Sequence, residues 1–161
     1  MTLRRGYPTL LRTTLSSIVA YSGAAGTGFS SRRNTMTRHR IVNPPELGVP
    51  SGFSHAVVAE GKTVHLAGQI GAGGTLVEQF DDATRRLVVA LRAAGGEPED
   101  LVSLQVFVTD VSAYRQALPE LGRVWRSHFG RHYPAMGLFG VSELFEPDAQ
   151  LELMGVAVVP A

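Results

Sequence analysis

Among the side chains that could do chemistry, Glu152 stands out first. It is the single acid in the run Leu151-Glu152-Leu153-Met154-Gly155-Val156-Ala157-Val158. A carboxylate in apolar surroundings is costly unless it has a partner or a task, so Glu152 is either part of a satisfied ion pair or strand edge, or a working group. His128 and His132 are four apart, the spacing that sets two imidazoles on one helix face for a metal. Gly130 between them marks an expected helix end, no Glu intervenes and no third ligand is in view. Both are therefore assigned to structure or surface, and no metal is expected. Ser54 and His55 are neighbours, and neighbours on a strand point to opposite faces, so they make no nucleophile–base pair. Gly71-Ala72-Gly73-Gly74 lacks the spacing and the following Lys-Ser/Thr of a phosphate-binding loop and reads as a flexible connection. The chain has no cysteine, which removes thiolate nucleophiles, thiolate zinc sites and disulfides.

The elements that must position these groups follow from periodicity and breakers. Phe53 to Ala59 and Thr63 to Gln69 read as strands joined at Glu60-Gly61-Lys62 into a hairpin. Val77, Phe80, Ala83, Leu87, Leu91 and Ala94 recur at steps of three and four, predicting a helix over 75–94 that Gly95-Gly96 ends. Asp81 with Arg85 and Asp82 with Arg86 are expected as pairs on its outer side. Leu101 to Thr109 alternates as a strand, with Val102, Leu104, Val106 and Val108 on one face. A second helix, capped by Ser112, is expected to reach Phe129, with Pro119 as a weak point and Trp125 and Phe129 in its core face. Strands over 135–144 and 149–159 complete an α+β single domain, a mixed sheet with both helices on one face. The other face would carry Phe107, Met154, Val156 and Val158 beside Gln105 and Glu152, too apolar to remain in water, so another subunit is its natural cover.

A length of 161 residues suits one domain, and 44% hydrophobic with 18% charged residues suits an ordinary globular one. The net charge of +1 conceals a split. Residues 1–45 hold seven Arg and no acid, whereas residues 46–161 hold eight Lys and Arg against all fourteen Asp and Glu. The acidic body argues against a nucleic-acid partner, and no apolar run is long enough to span a bilayer. Residues 1–40 are therefore set apart as an Arg- and Ser-rich extension, either transit-like or the product of a start assigned upstream of Met36. Residues 41–161 form the domain.

An ordered set of segments in 41–161 resembles the RidA/YjgF family of imine and enamine deaminases. It comprises Gly52-Phe53-Ser54-His55-Ala56-Val57, Ala67-Gly68-Gln69, Leu91-Arg92-Ala93-Ala94-Gly95-Gly96 with Glu99-Asp100-Leu101-Val102, Val106-Phe107-Val108-Thr109-Asp110, Tyr133-Pro134-Ala135-Met136 and Leu151-Glu152-Leu153. The resemblance implies a chorismate-mutase-like fold and a homotrimer whose sheets form a central barrel. It also implies a small-molecule cleft at each subunit interface and hydrolysis of 2-imino acids to 2-keto acids and ammonia without metal or cofactor.

Carried over residue by residue, the family's water-positioning Glu falls on Glu152 and its glycine strand end on Gly68. The carboxylate-binding Arg of Pro-Ala-Arg is Met136 here, the entrance Tyr is Phe53, the following Gln is His55, and the helix Asn has no clean counterpart, Gly122 lying closest. Losing a charge-assisted anchor leaves a buried carboxylate unpaired, at about 2–5 kcal/mol. Arg131 and His132 lie nearby but read as solvated loop residues. Two functions remain open: a divergent C=N hydrolase with an altered substrate, or a non-catalytic trimer that binds a small metabolite or a partner in a cleft lined by Phe53 and Met136. A cytoplasmic location is expected, or a mitochondrial one if the extension is a transit peptide.

Overall fold

The computed structural model describes residues 39–161; the expectation for the extension falls on residues that, up to 38, lie outside those described. The strands are β1 (Arg40–Val42), β2 (Ala56–Val58), β3 (Lys62–Gln69), β4 (Leu101–Val108), β5 (Ala135–Gly140) and β6 (Leu151–Val159). The helices are α1 (Leu76–Ala93) and α2 (Val111–Phe129).

Local signals set the helix ends. Thr75 caps α1, its hydroxyl accepting from the Glu78 N–H at 3.3 Å while the Glu78 carboxylate accepts from the Thr75 N–H at 3.0 Å. The Thr75 hydroxyl also donates to the Glu78 carboxylate at 3.0 Å, and this bond, followed by those from the Thr75 and Gly74 N–H groups, holds that carboxyl below its ordinary range. At the other end Gly95 takes φ +88° and the Gly95 and Gly96 N–H groups bond to the Arg92 and Leu91 carbonyls, a Schellman closure. Asp110, not Ser112, caps α2: its carboxylate accepts from the Ala113 N–H at 2.9 Å, so the helix begins two residues earlier than expected. Pro119 sits within α2, which continues through it.

The main sheet has the order β3-β6-β4-β5, with β6 antiparallel to both neighbours and β4 parallel to β5. Two layers result, α1 and α2 packing on one face around Phe80, Leu87, Leu91, Leu104, Val106 and Leu153. The expected β2–β3 hairpin does not form. β2 pairs with β1, Arg40 opposite Val58, and β3 pairs along β6. The partner of β2 thus begins at Arg40, inside the segment that composition set apart, and the nine-residue β6 offers β3 a longer ladder than β2 can. The facing of β4 also departs from simple alternation. Its register against β6 shifts between Leu101 and Ser103, so Leu101 enters the core and Val102 is left half-buried. The outer face carries Glu152, Met154, Val156, Phe107 and Phe139, and Met154 and Phe139 are 41% and 48% exposed.

Candidate functional site

Two groups of candidate residues assemble on that outer face. In the first, Glu152 lies across from the end of β3. A side chain at Gly68 would overlap the Glu152 carboxylate, so glycine is what lets the acid lie over the β3 backbone. Glu152 is half-buried, and among the described residues its carboxylate has no hydrogen-bond or ion-pair partner. The ion-pair alternative therefore has no support among the described residues.

Beside Gly68 the segment 71–74 is pinned to α1 rather than free. A side chain at Gly71 would meet the Gln79 carbonyl, and the Ala72 N–H donates to Asp82 at 2.8 Å. That bond, with those from Arg85 and Arg86, holds the Asp82 carboxyl well below the usual carboxylate range. The expected Asp81–Arg85 pair is replaced: Asp82 takes both arginines, and Asp81 meets the His128 ring at 2.6 Å. Gln79, only 4% exposed, donates to the carbonyls of Gly73 at 3.1 Å and Asp148 at 3.0 Å and accepts from the Gln150 N–H at 2.8 Å. It ties both loops that flank a cavity of about 590 Å³ next to Gly68, with Phe145 and Arg86 on its walls.

The second group surrounds a cavity of about 370 Å³ between the segment 53–55, which leads into β2, and the strands β4 and β5. Ser54 fixes this side: its N–H donates to the Pro134 carbonyl at 2.9 Å and its hydroxyl to the Tyr133 carbonyl at 2.6 Å. Phe53 and His55 are thereby held against β5, their rings edge to face at 5.2 Å. Gln105, Ser103, Gly137 and Phe139 complete the wall. Met136 also borders the cavity, yet its register partner is Leu104 and its side chain packs on the core. Glu152 is opposite Phe107, which is opposite Phe139. Position 136 and Glu152 therefore lie on opposite faces of the sheet within one chain.

The sequence profile of the Endoribonuclease L-PSP family matches residues 46–159. This chain belongs to that family, which holds the RidA and YjgF proteins. A RutC family protein from Aquifex aeolicus is 30% identical over 129 residues, covering 74% of this chain and 98% of its own. The 2-iminobutanoate/2-iminopropanoate deaminase of Homo sapiens is 22% identical over 133 residues, 78% of this chain and 93% of its own. The crystal structure of YyfB, a Rid family protein of unknown function from Yersinia pestis, is 30% identical. It covers 76% of this chain and 99% of its own, with a TM-score of 0.67. Two helices and a mixed sheet in a single domain match the chorismate-mutase-like fold of these neighbours.

Several residues of this RidA/YjgF member take structural positions. His132 meets the Leu101 carbonyl at 2.7 Å and accepts the Trp125 indole N–H on its own carbonyl at 3.0 Å, while His128 is turned to Asp81. Trp125 stacks on Phe129 at 4.3 Å in the core, and Arg131 is exposed. Gly122 lies within α2, on the other side of the sheet from Glu152. In the sequence Gln79 is only an amide at the margin of an apolar stripe, and Gly137 and Phe139 carry no signal because their importance depends on register.

Proposed function

We propose that this protein is a divergent deaminase-type hydrolase of imines or enamines, working as a homotrimer with its ligand in clefts between subunits. The observation that carries the proposal is the Glu152 carboxylate, half-buried, without a partner among the described residues and lying over Gly68. The name of the human relative supports the reaction class. Glu152 would take a proton from water as the oxygen bonds to the C=N carbon, the nitrogen gaining a proton from solvent. The resulting carbinolamine then breaks its C–N bond, releasing ammonia and leaving a carbonyl. No cofactor is required by this balance. Two strand spacings of about 4.8 Å separate the Glu152 and Phe139 strands, so the β5-side cavity would be served by Glu152 of a neighbouring subunit. The apolar outer face, with Met154 and Phe139 exposed, supplies the surface for such an assembly.

Met136 sets the substrate apart: a thioether packed on the core offers no charge-assisted anchor at this position. The substrate therefore lacks the carboxylate of a 2-imino acid, or places it elsewhere. The acidic body, eight basic against fourteen acidic residues over 46–161, weighs against a ribonuclease despite the family's name. Cytoplasmic residence is part of the proposal, a mitochondrial address its alternative. The test is ammonia release from imines generated in situ, with and without a carboxylate. Glu152→Gln should cut turnover by about 10²–10⁴ at unchanged melting temperature; unchanged turnover would refute the proposal. The second reading, a non-catalytic trimer that binds a metabolite or a partner, is favoured by the same Met136 and by the hydroxyl missing at Phe53. It predicts no ammonia from any imine.

A further inference from the structure

The β5-side cavity carries chemistry that its position alone does not explain. Its lining has two phenyl rings, Phe53 and Phe139, three neutral polar side chains, Ser54, Ser103 and Gln105, of which Ser54 already donates to the Tyr133 carbonyl, and one ionisable group, His55. Among the described residues no Lys or Arg borders it. The Gln105 amide and the Ser103 hydroxyl make no side-chain hydrogen bond among the described residues, although both are half-buried. His55 is oriented from outside the cavity: its backbone N–H donates to the Asn43 side chain at 2.8 Å, and its Nε2 lies 3.3 Å from the Gly48 carbonyl.

The aromatic wall is built rather than incidental. Phe139 stacks on Phe107 at 5.6 Å and 27°. Its ring folds back over Gly137, where an added Cβ would lie 2.8 Å from the ring carbon Cε2. Only a missing side chain at 137 leaves room for the ring to lie along the strand. The stacked pair thus presents a flat apolar surface beside a free donor–acceptor amide. The cavity of about 370 Å³ suits one ring with a short substituent, given that a cavity of roughly 150 Å³ already holds benzene.

We infer that this cavity binds a planar, uncharged aromatic or heteroaromatic ligand bearing an amide-like edge. The ring lies against Phe139 and Phe53, and the edge exchanges hydrogen bonds with Gln105 and Ser103. A carboxylate is disfavoured because no Lys or Arg among the described lining residues would replace its hydration. A neutral edge with both a donor and an acceptor matches the amide of Gln105. The inference deepens the proposed function by naming its substrate class, and so rests on the outer face being a ligand site, but not on turnover.

The test is binding to the full-length protein of benzamide, benzoate and 2-oxobutanoate, by titration followed in ¹⁵N-resolved NMR. Benzamide should bind at least tenfold tighter than either anion, with shift changes centred on the Gln105 side-chain amide. Gln105→Leu should weaken benzamide about tenfold. Gly137→Ala should weaken it as well, because the methyl displaces the Phe139 ring. The backbone at 137 accepts alanine and the atom struck is a side-chain end, so the fold should survive, as a melting curve would verify. Equal or tighter binding of benzoate, shifts centred on residues 68–73 and 145–149, or no benzamide shift at millimolar concentration would overturn the inference. Benzamide binding without any ammonia release would uphold it while removing the hydrolase. Glu152-dependent hydrolysis of a carboxylate-bearing imine with no benzamide binding would do the reverse.

Discussion

Replacing Gln79 by leucine should show how the loops beside Gly68 are held. The wild-type amide makes three hydrogen bonds, all to backbone: Gly73 and Asp148 accept, Gln150 donates. Gly73 and Asp148 are exposed, so water can take over their carbonyls, at about 0.5–1 kcal/mol each. The Gln150 N–H is half-buried, and leaving it unpaired costs about 1–3 kcal/mol. Leucine recovers a little by apolar burial, so the net loss is about 2–4 kcal/mol, which in a domain of this size lowers the melting temperature by roughly 10 °C. Scanning calorimetry at fixed protein concentration measures it. Gln79→Glu adds a pH signature. Its carboxylate would face the Gly73 and Asp148 carbonyls, which favour the protonated acid and raise its pKa. The sign is then fixed: a group whose folded pKa is raised is better tolerated below its folded pKa than above it. The deficit of Gln79→Glu should therefore shrink as pH falls through the raised value, whereas that of Gln79→Leu should not. A Gln79→Leu protein that melts within 2 °C of wild type would refute the clamp. Because the same amide holds both loops flanking the cavity next to Gly68, any Glu152-dependent turnover should fall with it.

Gly68→Ala drives the Glu152 carboxylate from its place over β3; turnover should drop at least tenfold while the melting temperature moves little, since a side-chain end yields, and full activity would show that Glu152 works elsewhere. Met154→Lys sets a charge in the middle of the apolar outer face; light scattering should change from the mass of three chains to that of one, and an unchanged mass would place the interface elsewhere. Met136→Arg brings a guanidinium against Leu104 and the core. It should cost about 2–4 kcal/mol, softened by the reach of the arginine stem, and an unshifted melting curve would mean that the side chain at 136 turns to the other face. With no anchor at that position, wild-type protein should process 2-iminobutanoate about two to three decades less efficiently than an imine without a carboxylate.

What the sequence by itself determined are the features built from neighbours a few residues apart. Thr75 with Glu78, the stripe from Phe80 to Leu91 and Gly95-Gly96 define α1 without outside help. The alternation of β6 marks Glu152 as the acid on an apolar face, and ordered motifs placed Gly68 near it. Tertiary structure decided everything that depends on pairing between distant segments. The partner of β2 is Arg40–Val42, and the bulge after Leu101 appears only once β4 lies against β6. Met136 and Glu152 are separated by the parallel register that sets Leu104 beside Met136 and Phe107 beside Phe139, because a shift of one residue would exchange the faces of the whole strand. The bonds of Gln79 to Asp148 and Gln150 reach across about seventy positions. No periodicity records which of two distant loops will come within 3 Å of an amide; chain closure and core packing choose it.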